Sequence, residues 1–195
     1  MLIAATEQTV LDVVSLYLKL GYEHILPKGL DHILFVLVLV FAATRLKPLI
    51  WQITAFTAAH TISLALATLG LVAVPVAIVE PIIALSIAFV AIENVVRKEP
   101  PRWRPLLVFA FGLFHGLGFA GVLLDLGLPR DQFIPALLSF NVGVELGQLS
   151  IILAVWLTFM RFRSAHWHTL AVQVASGLIA ALALWWTIER VFLGG

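Results

Sequence analysis

The chain has 195 residues, of which 62% are apolar and 12% are charged, about half the charged fraction of an average soluble domain. This balance predicts an integral membrane protein, and the net charge of +1 gives no indication of nucleic-acid binding, so no nucleic-acid partner is expected. The absence of cysteine excludes disulfides and thiolate metal sites, so any metal must be bound through nitrogen or oxygen.

The first predicted element is an amphipathic helix over residues 7–21. Val13 and Tyr17 repeat at helical spacing, while Asp12 and Lys19 interrupt the apolar character. This pattern favours a helix lying at the membrane interface, with a seventh, tilted span as the alternative.

Six apolar stretches follow, each near the roughly 20 residues that a membrane-spanning helix needs. Pro48 and Pro105 open two of them, as expected at helix starts. We therefore predict an all-α, polytopic membrane bundle in one domain (1–195), with an interfacial helix in 1–22 and a six-helix bundle in 30–195. The predicted spans are 30–46, 48–70, 75–97, 105–124, 132–160 and 168–193.

The charged loops predict the orientation of these spans. Four of the twelve Lys and Arg residues flank one side, namely Lys19, Lys28, Arg130 and Arg190. The other eight flank the opposite side, which should be cytoplasmic: Arg45, Lys47, Arg97, Lys98, Arg102, Arg104, Arg161 and Arg163. Both termini are then expected outside, on the periplasmic side in a bacterium with two membranes.

The stretch "EHILPKGLDHILF" (23–35) brings ionisable side chains to the predicted outer end of the first span. Pro27 and Gly29 break the helix, so His24 can fold back towards Asp31 and His32. Glu80 is expected at the same depth on another helix. Imidazole and carboxylate ligands together suit Ni²⁺, Zn²⁺ or Co²⁺. In the alternative reading, Asp31 caps the span and the histidines lie among lipid headgroups.

A second polar group is predicted near mid-membrane, where ionisable residues are costly and usually functional. It contains His60, His115 and Glu145 as candidate metal ligands, with Asn141 and Gln148 on the Glu145 face. Interhelical hydrogen bonding is the alternative for the two amides.

Small residues in two spans predict close contacts between helices. Gly112 and Gly116 flank His115, and Gly143 and Gly147 form a small-xxx-small pair.

At the predicted inner end, Glu93 and Asn94 are candidates to line an exit for a cation. The alternative for Glu93 is an ion pair with Arg97, four residues further along the helix.

A short internal similarity links "GLDHILF" (29–35) with "GLFHGLGF" (112–119), three predicted spans later. Three spans per half would invert the second copy, so the similarity is a hint of a 3+3 inverted repeat, an arrangement common in transporters. The alternative is a chance likeness, because the match is short and rich in Gly and Leu.

Five blocks resemble the HupE/UreJ family of bacterial membrane proteins: "EHILPKGLDHILF", "FTAAHTISLALATLG", "VEPIIALSIAFVAIEN", "FGLFHGLGFAGVLL" and "FNVGVELGQ". The likeness covers roughly residues 20–193. It implies a multi-pass protein of the bacterial inner membrane, in a family named for accessory proteins of two nickel enzymes and regarded as nickel or cobalt permeases. In hydrogenase-linked members five residues separate a histidine from an Asp-His pair, whereas six separate His24 from Asp31 here.

The chain is expected to contact membrane lipids, and a homo-oligomer is one possible state, since the sequence does not fix the oligomeric state. Three functions compete at this point. A nickel- or cobalt-type permease is favoured over an enzyme. The second is a zinc-dependent intramembrane hydrolase of a lipid or membrane-embedded substrate, and the third a scaffold or metal sensor. The candidate metal ligands are His24, Asp31, His32, His60, Glu80, His115 and Glu145, supported by Glu93, Asn94, Asn141 and Gln148.

Overall fold

The structure is a computed structural model that describes residues 9–97, 99–125, 127, 129, 131–160, 162 and 167–193. These residues form seven α-helices and a short π-helix and contain no strand, which confirms the predicted helical membrane bundle. The α-helices are α1 (Val10–Ile25), α2 (Leu30–Ala42), α3 (Leu46–Thr68), α4 (Val76–Val96), α5 (Arg104–Asp125), α6 (Phe133–Met160) and α7 (His168–Ile188). The π-helix (Glu189–Leu193) continues α7.

Five of these helices, α3 to α7, are long and apolar enough to cross a membrane, and they match the last five predicted spans. Two bundle ends can be distinguished by the residues that lie there. We call the end with the α3–α4 connection the Glu80 end, and the end with the α2–α3 connection the Glu93 end. Their orientation in the membrane stays a prediction. Residues 7 and 8, Lys98, Arg130, Arg161 and Arg163, which entered the sequence predictions, lie outside the described residues.

The first predicted span, residues 30–46, is corrected by the structure. Helix α2 has 13 residues and is about 20 Å long, less than the roughly 30 Å of a bilayer core. Helices α1 and α2 instead meet at a 67° bend and reach spanning length only together. The six predicted spans are therefore obtained when this bent pair counts as one. Pro27 and Gly29 lie in the break between its halves, as predicted.

Helix α1 is the predicted N-terminal helix, but it packs lengthwise along α6 instead of lying apart from the bundle. A capping box between Thr9 and Asp12 starts it. Gly21 faces the Phe140 carbonyl, and Gly143 faces the Leu18 carbonyl, with no room for a Cβ at either glycine. This backbone contact explains why α1 packs on α6 and does not lie at the membrane interface as predicted. The apolar face of α1, with its two small-residue contacts, is buried better against a helix than at the membrane surface.

Replacing Gly143 with valine is expected to lower the free energy of unfolding by about 1–3 kcal/mol or more, since the side chain would collide with backbone of α1. The measurement is reversible unfolding of the purified protein in detergent. Gly177→Val is the matched control in α7, where an added Cβ meets no atom within 4 Å. Equal stability of the two variants would contradict the α1–α6 packing.

Candidate metal centre

Four histidines from four helices meet in one place. One ring nitrogen from each of His24, His32 and His60 lies within 4.8 Å of the others. The His115 ring joins them, with its centroid 5.0 Å from that of His32. We call these four residues the histidine cluster.

The break between α1 and α2 brings the first two histidines together. His24 lies in the last turn of α1 and His32 in the first turn of α2, with ring centroids 4.7 Å apart. The chain returns so tightly that a Cβ at Gly29 would collide with the His24 carbonyl oxygen. The predicted proximity of these two histidines is therefore found in the structure.

Close packing of α3 on α5 brings the other two histidines to the same point. Gly112 lies against the Phe56 backbone, and Gly116 lies against the carbonyl of His60. A larger residue at either position would push the helices apart. The predicted close contact around His115 is thus present, and it places this ring beside α3.

The cluster lies near the middle of the bundle. His60 lies eight residues before Thr68, the end of α3, and His115 lies ten residues before Asp125, the end of α5. These separations are about 12 and 15 Å along the helix axes, roughly half the thickness of a bilayer core. The predicted outer position of His24 and His32 is therefore corrected: α1 has already carried the chain to mid-depth when α2 begins.

The chemistry of the cluster fits a transition-metal ion. The Nε2 atoms of all four histidines are buried and have no hydrogen-bond partner in the described part of the chain. Leaving such an atom unsatisfied costs about 1–3 kcal/mol, a penalty that a bound metal ion would remove. Neutral imidazole nitrogens are suitable ligands for zinc, nickel, copper and iron and unsuitable for magnesium or calcium.

A cavity of about 690 Å³ leads from the Glu80 end to the cluster. Its walls combine three of the histidines with acidic, basic and aromatic side chains. They include His24, His32, His115, Asp31, Glu80, Phe119, Phe140, Trp186 and Arg190.

The two acidic residues predicted beside the outer histidines line this cavity, but neither belongs to the close histidine triad. Asp31 forms an ion pair with Arg190 (Oδ2 to Nη2, 3.1 Å). Arg190 also donates to the main-chain carbonyl of Glu80 at 3.1 Å and lies over the Trp186 ring. The Glu80 carboxylate makes no hydrogen bond or ion pair with the described part of the chain.

A layer of phenylalanines closes the cluster towards the Glu93 end. Phe35 and Phe56 are fully buried, with ring centroids 5.2 Å apart. Phe35 also contacts Phe111 and His115, at centroid distances of 6.2 and 5.5 Å. We call Phe35, Phe56 and Phe111 the phenylalanine layer, and it separates the cluster from the other half of the bundle.

Glu145, a predicted metal ligand, is directed elsewhere. Its Oε1 accepts a hydrogen bond of 2.6 Å from the Thr54 hydroxyl. Thr54 precedes His60 by six residues, or about 9 Å along α3. The structure therefore places this carboxylate outside the histidine cluster.

The two predicted supporting amides of α6 both bond to α3. The amide oxygen of Gln148 lies 3.0 Å from the Thr57 hydroxyl, and its buried amide nitrogen has no hydrogen-bond partner among the described residues. Asn141 reaches the cluster, with its Oδ1 3.0 Å from Nδ1 of His60.

At the Glu93 end, Glu93 and Asn94 line a second cavity of about 640 Å³. Glu93 lies 3.7 Å from Arg97 and 3.3 Å from Arg104, close enough for ion pairs, although the Arg104 N–H is not aligned for a hydrogen bond. Arg104 donates to Asn94 (2.8 Å), and Asn94 donates to the Val38 carbonyl (2.7 Å). The two residues thus take part in a network that joins α2, α4 and α5.

Sequence reasoning missed the two arginines that pair with these acids, because Arg104 and Arg190 entered it only as loop charges. A signal was present: each acid near the end of an apolar span needs a cation, and each arginine lies at the end of a neighbouring span.

These features define a polytopic helical membrane protein with a buried histidine cluster able to hold a transition-metal ion. The chain belongs to the HupE / UreJ protein family, whose model matches residues 3–190, nearly its whole length. The comparisons found no matching curated protein and no matching solved structure.

Proposed function

We propose that the protein is a permease for a divalent transition-metal cation, with nickel and cobalt as its first candidate substrates. The observation that supports this best is a set of four histidine Nε2 atoms near mid-depth that have no partner among the described residues and are reached through a cavity from one end. A substrate site halfway across the bilayer is the usual arrangement in secondary transporters. The family is also associated with nickel and cobalt.

The residues along the route suit successive steps of cation entry. Glu80 and Asp31 supply negative charge in the cavity, where a hydrated cation would be concentrated. The imidazoles of the cluster then replace part of its water shell. Passage to the second cavity requires the phenylalanine layer to separate, so the structure corresponds to a form closed towards the Glu93 end.

The membrane potential can drive this movement. We propose that the Glu80 end faces outward, as the positive charges of the loops predict. An inside-negative potential then favours entry of a divalent ion by about 4.6 kcal/mol per 100 mV.

Purified protein in liposomes should take up Ni²⁺ or Co²⁺ in a saturable manner, and an inside-negative potential should accelerate the uptake. Metal inside the vesicles is measured over time, with empty liposomes and His32→Ala protein as controls. Both controls should lack the saturable phase. Failure of the wild-type protein to move Ni²⁺, Co²⁺ or Zn²⁺ under this potential would refute the permease.

A zinc-dependent intramembrane hydrolase is the second candidate. Two observations favour it. The phenylalanine layer closes the cluster on one side, and on the other side the Glu80 carboxylate lines the cavity without a partner among the described residues. Three histidines can hold zinc and leave a position for water, which zinc would acidify when bound. Glu80 would then accept the proton of that water.

The two functions differ in how firmly the metal is held. A hydrolase should retain about one zinc per chain through dialysis against buffer, and Glu80→Gln should abolish lipid cleavage without releasing zinc. A permease should lose its metal during the dialysis. Metal analysis of the purified protein, combined with a lipid-cleavage assay, distinguishes them.

A further inference from the structure

A chain of hydrogen bonds runs from the backbone of α6 to the histidine cluster through Asn141. Its Nδ2 lies 2.9 Å from the Leu137 carbonyl oxygen, and its Oδ1 lies 3.0 Å from Nδ1 of His60. Asn141 is 4% exposed and His60 is fully buried, so water does not compete for these bonds.

The first bond determines the direction of the second. A carbonyl oxygen only accepts, so the amide of Asn141 must direct its NH₂ group towards Leu137. The amide oxygen then faces His60, and an oxygen can only accept from Nδ1. Nδ1 of His60 therefore carries the ring proton, and Nε2 of the neutral ring keeps its lone pair.

That lone pair is the one a metal would use. Nε2 of His60 is buried and has no hydrogen-bond partner among the described residues, and the His60 ring lies in the close triad with His24 and His32. With the other tautomer, an N–H group would point into the cluster and block coordination. The ring must be both correctly oriented and correctly protonated before an ion arrives.

We propose that Asn141 is a positioning residue for the metal site: it holds His60 in the Nδ1-protonated tautomer and aims its Nε2 lone pair at the ion. This inference rests on the proposed function only in taking the cluster as the place where metal binds. His115 is held similarly, because its Nδ1 lies 2.8 Å from the Phe111 carbonyl and so must donate to it. The Asn141 side chain thus accepts the Nδ1 proton of His60 as the Phe111 carbonyl accepts that of His115. Because Asn141 acts through its side chain, its role can be tested by substitution.

Loss of a hydrogen-bond partner from a metal-bound histidine typically costs 10- to 100-fold in metal affinity. Asn141→Leu should weaken Ni²⁺ or Zn²⁺ binding by about this factor. Asn141→Asp keeps an oxygen acceptor for Nδ1, so it should bind within about threefold of the wild type or more tightly. Titration calorimetry of the purified proteins in detergent measures both.

Val144→Ala is the matched control, since it loosens the packing of the same helix at a fully buried position without removing a hydrogen bond. It should bind metal within about twofold of the wild type. If it lost as much affinity as Asn141→Leu, the effect would come from packing and the proposal would be wrong.

The tautomer can be observed directly, even if Asn141→Leu does not fold and even if no transport is found. In metal-free wild-type protein with ¹⁵N-labelled histidine, NMR should show Nδ1 of His60 protonated and Nε2 unprotonated. In Asn141→Asp this pattern should persist. A wild-type His60 protonated on Nε2 would overturn the inference, whereas failure of transport with the expected tautomer would count against the permease alone.

Discussion

Replacing His60 with alanine is expected to weaken binding of Ni²⁺ or Zn²⁺ by more than about 100-fold, beyond the loss caused by removing a hydrogen-bond partner of a ligand. His60 is the fully buried member of the close triad and comes from the middle of α3, so no neighbouring residue of that helix can replace its Nε2. A water molecule entering the space would be a weaker ligand in a site otherwise made of imidazoles.

Calorimetry of the purified variant with Ni²⁺ and with Zn²⁺ measures this loss, and uptake into liposomes should fall with it. His168→Ala is the control, because that histidine lies at the Glu93 end and lines the other cavity. It should retain the affinity of the wild type. Unchanged binding by His60→Ala would show that the cluster is not the metal site, and loss in both variants would point to general damage.

The sequence predicted the helices well because their signals are local. Apolar runs of membrane-spanning length identified α3 to α7, and proline or glycine marked their ends. The break around Pro27 and Gly29 also predicted that His24 would approach His32, since the return needs only a few residues.

The depth of His24 and His32 in the bundle was harder to predict, because it depends on the combined length of the two short helices α1 and α2. Asp12 and Lys19 made α1 look like a surface helix, and the apolar run after His32 then looked like a complete span. In the structure neither helix spans a bilayer alone, and the polar break between them lies near mid-depth. The packing of α1 on α6 determines the depth of this break. The glycines that permit the packing do not show, in the sequence, which helix they will contact.

The composition of the site also depended on contacts between distant parts of the chain. His60 and His115 could be identified as unusual, but their meeting with His24 and His32 follows from the packing of four helices. A mid-span carboxylate requires a partner, yet the sequence could not show that Glu145 would find Thr54 instead of a metal. Residue type therefore indicated candidate ligands, and tertiary packing selected among them.

The second large effect is expected at the other end of the bundle, where Arg104→Gln should lower the free energy of unfolding by about 3–5 kcal/mol. Arg104 and Glu93 are 2% and 6% exposed and lie 3.3 Å apart. Removing the arginine leaves the Glu93 carboxylate buried, and among the described residues its remaining cationic neighbour is Arg97, at 3.7 Å. It also removes the donor to Asn94, which ties α4 to α2.

Two further variants separate the buried ion pair from its surroundings. Glu93→Gln combined with Arg104→Gln should regain most of the lost stability, because the penalty comes from an unpaired buried charge and the double variant contains none. Arg97→Gln should cost at most about 1 kcal/mol, since the side chain of Arg97 is largely exposed. Reversible unfolding in detergent gives all three values. A double variant as unstable as Arg104→Gln would show that the arginine stabilises the bundle through its bond to Asn94, and not by neutralising Glu93.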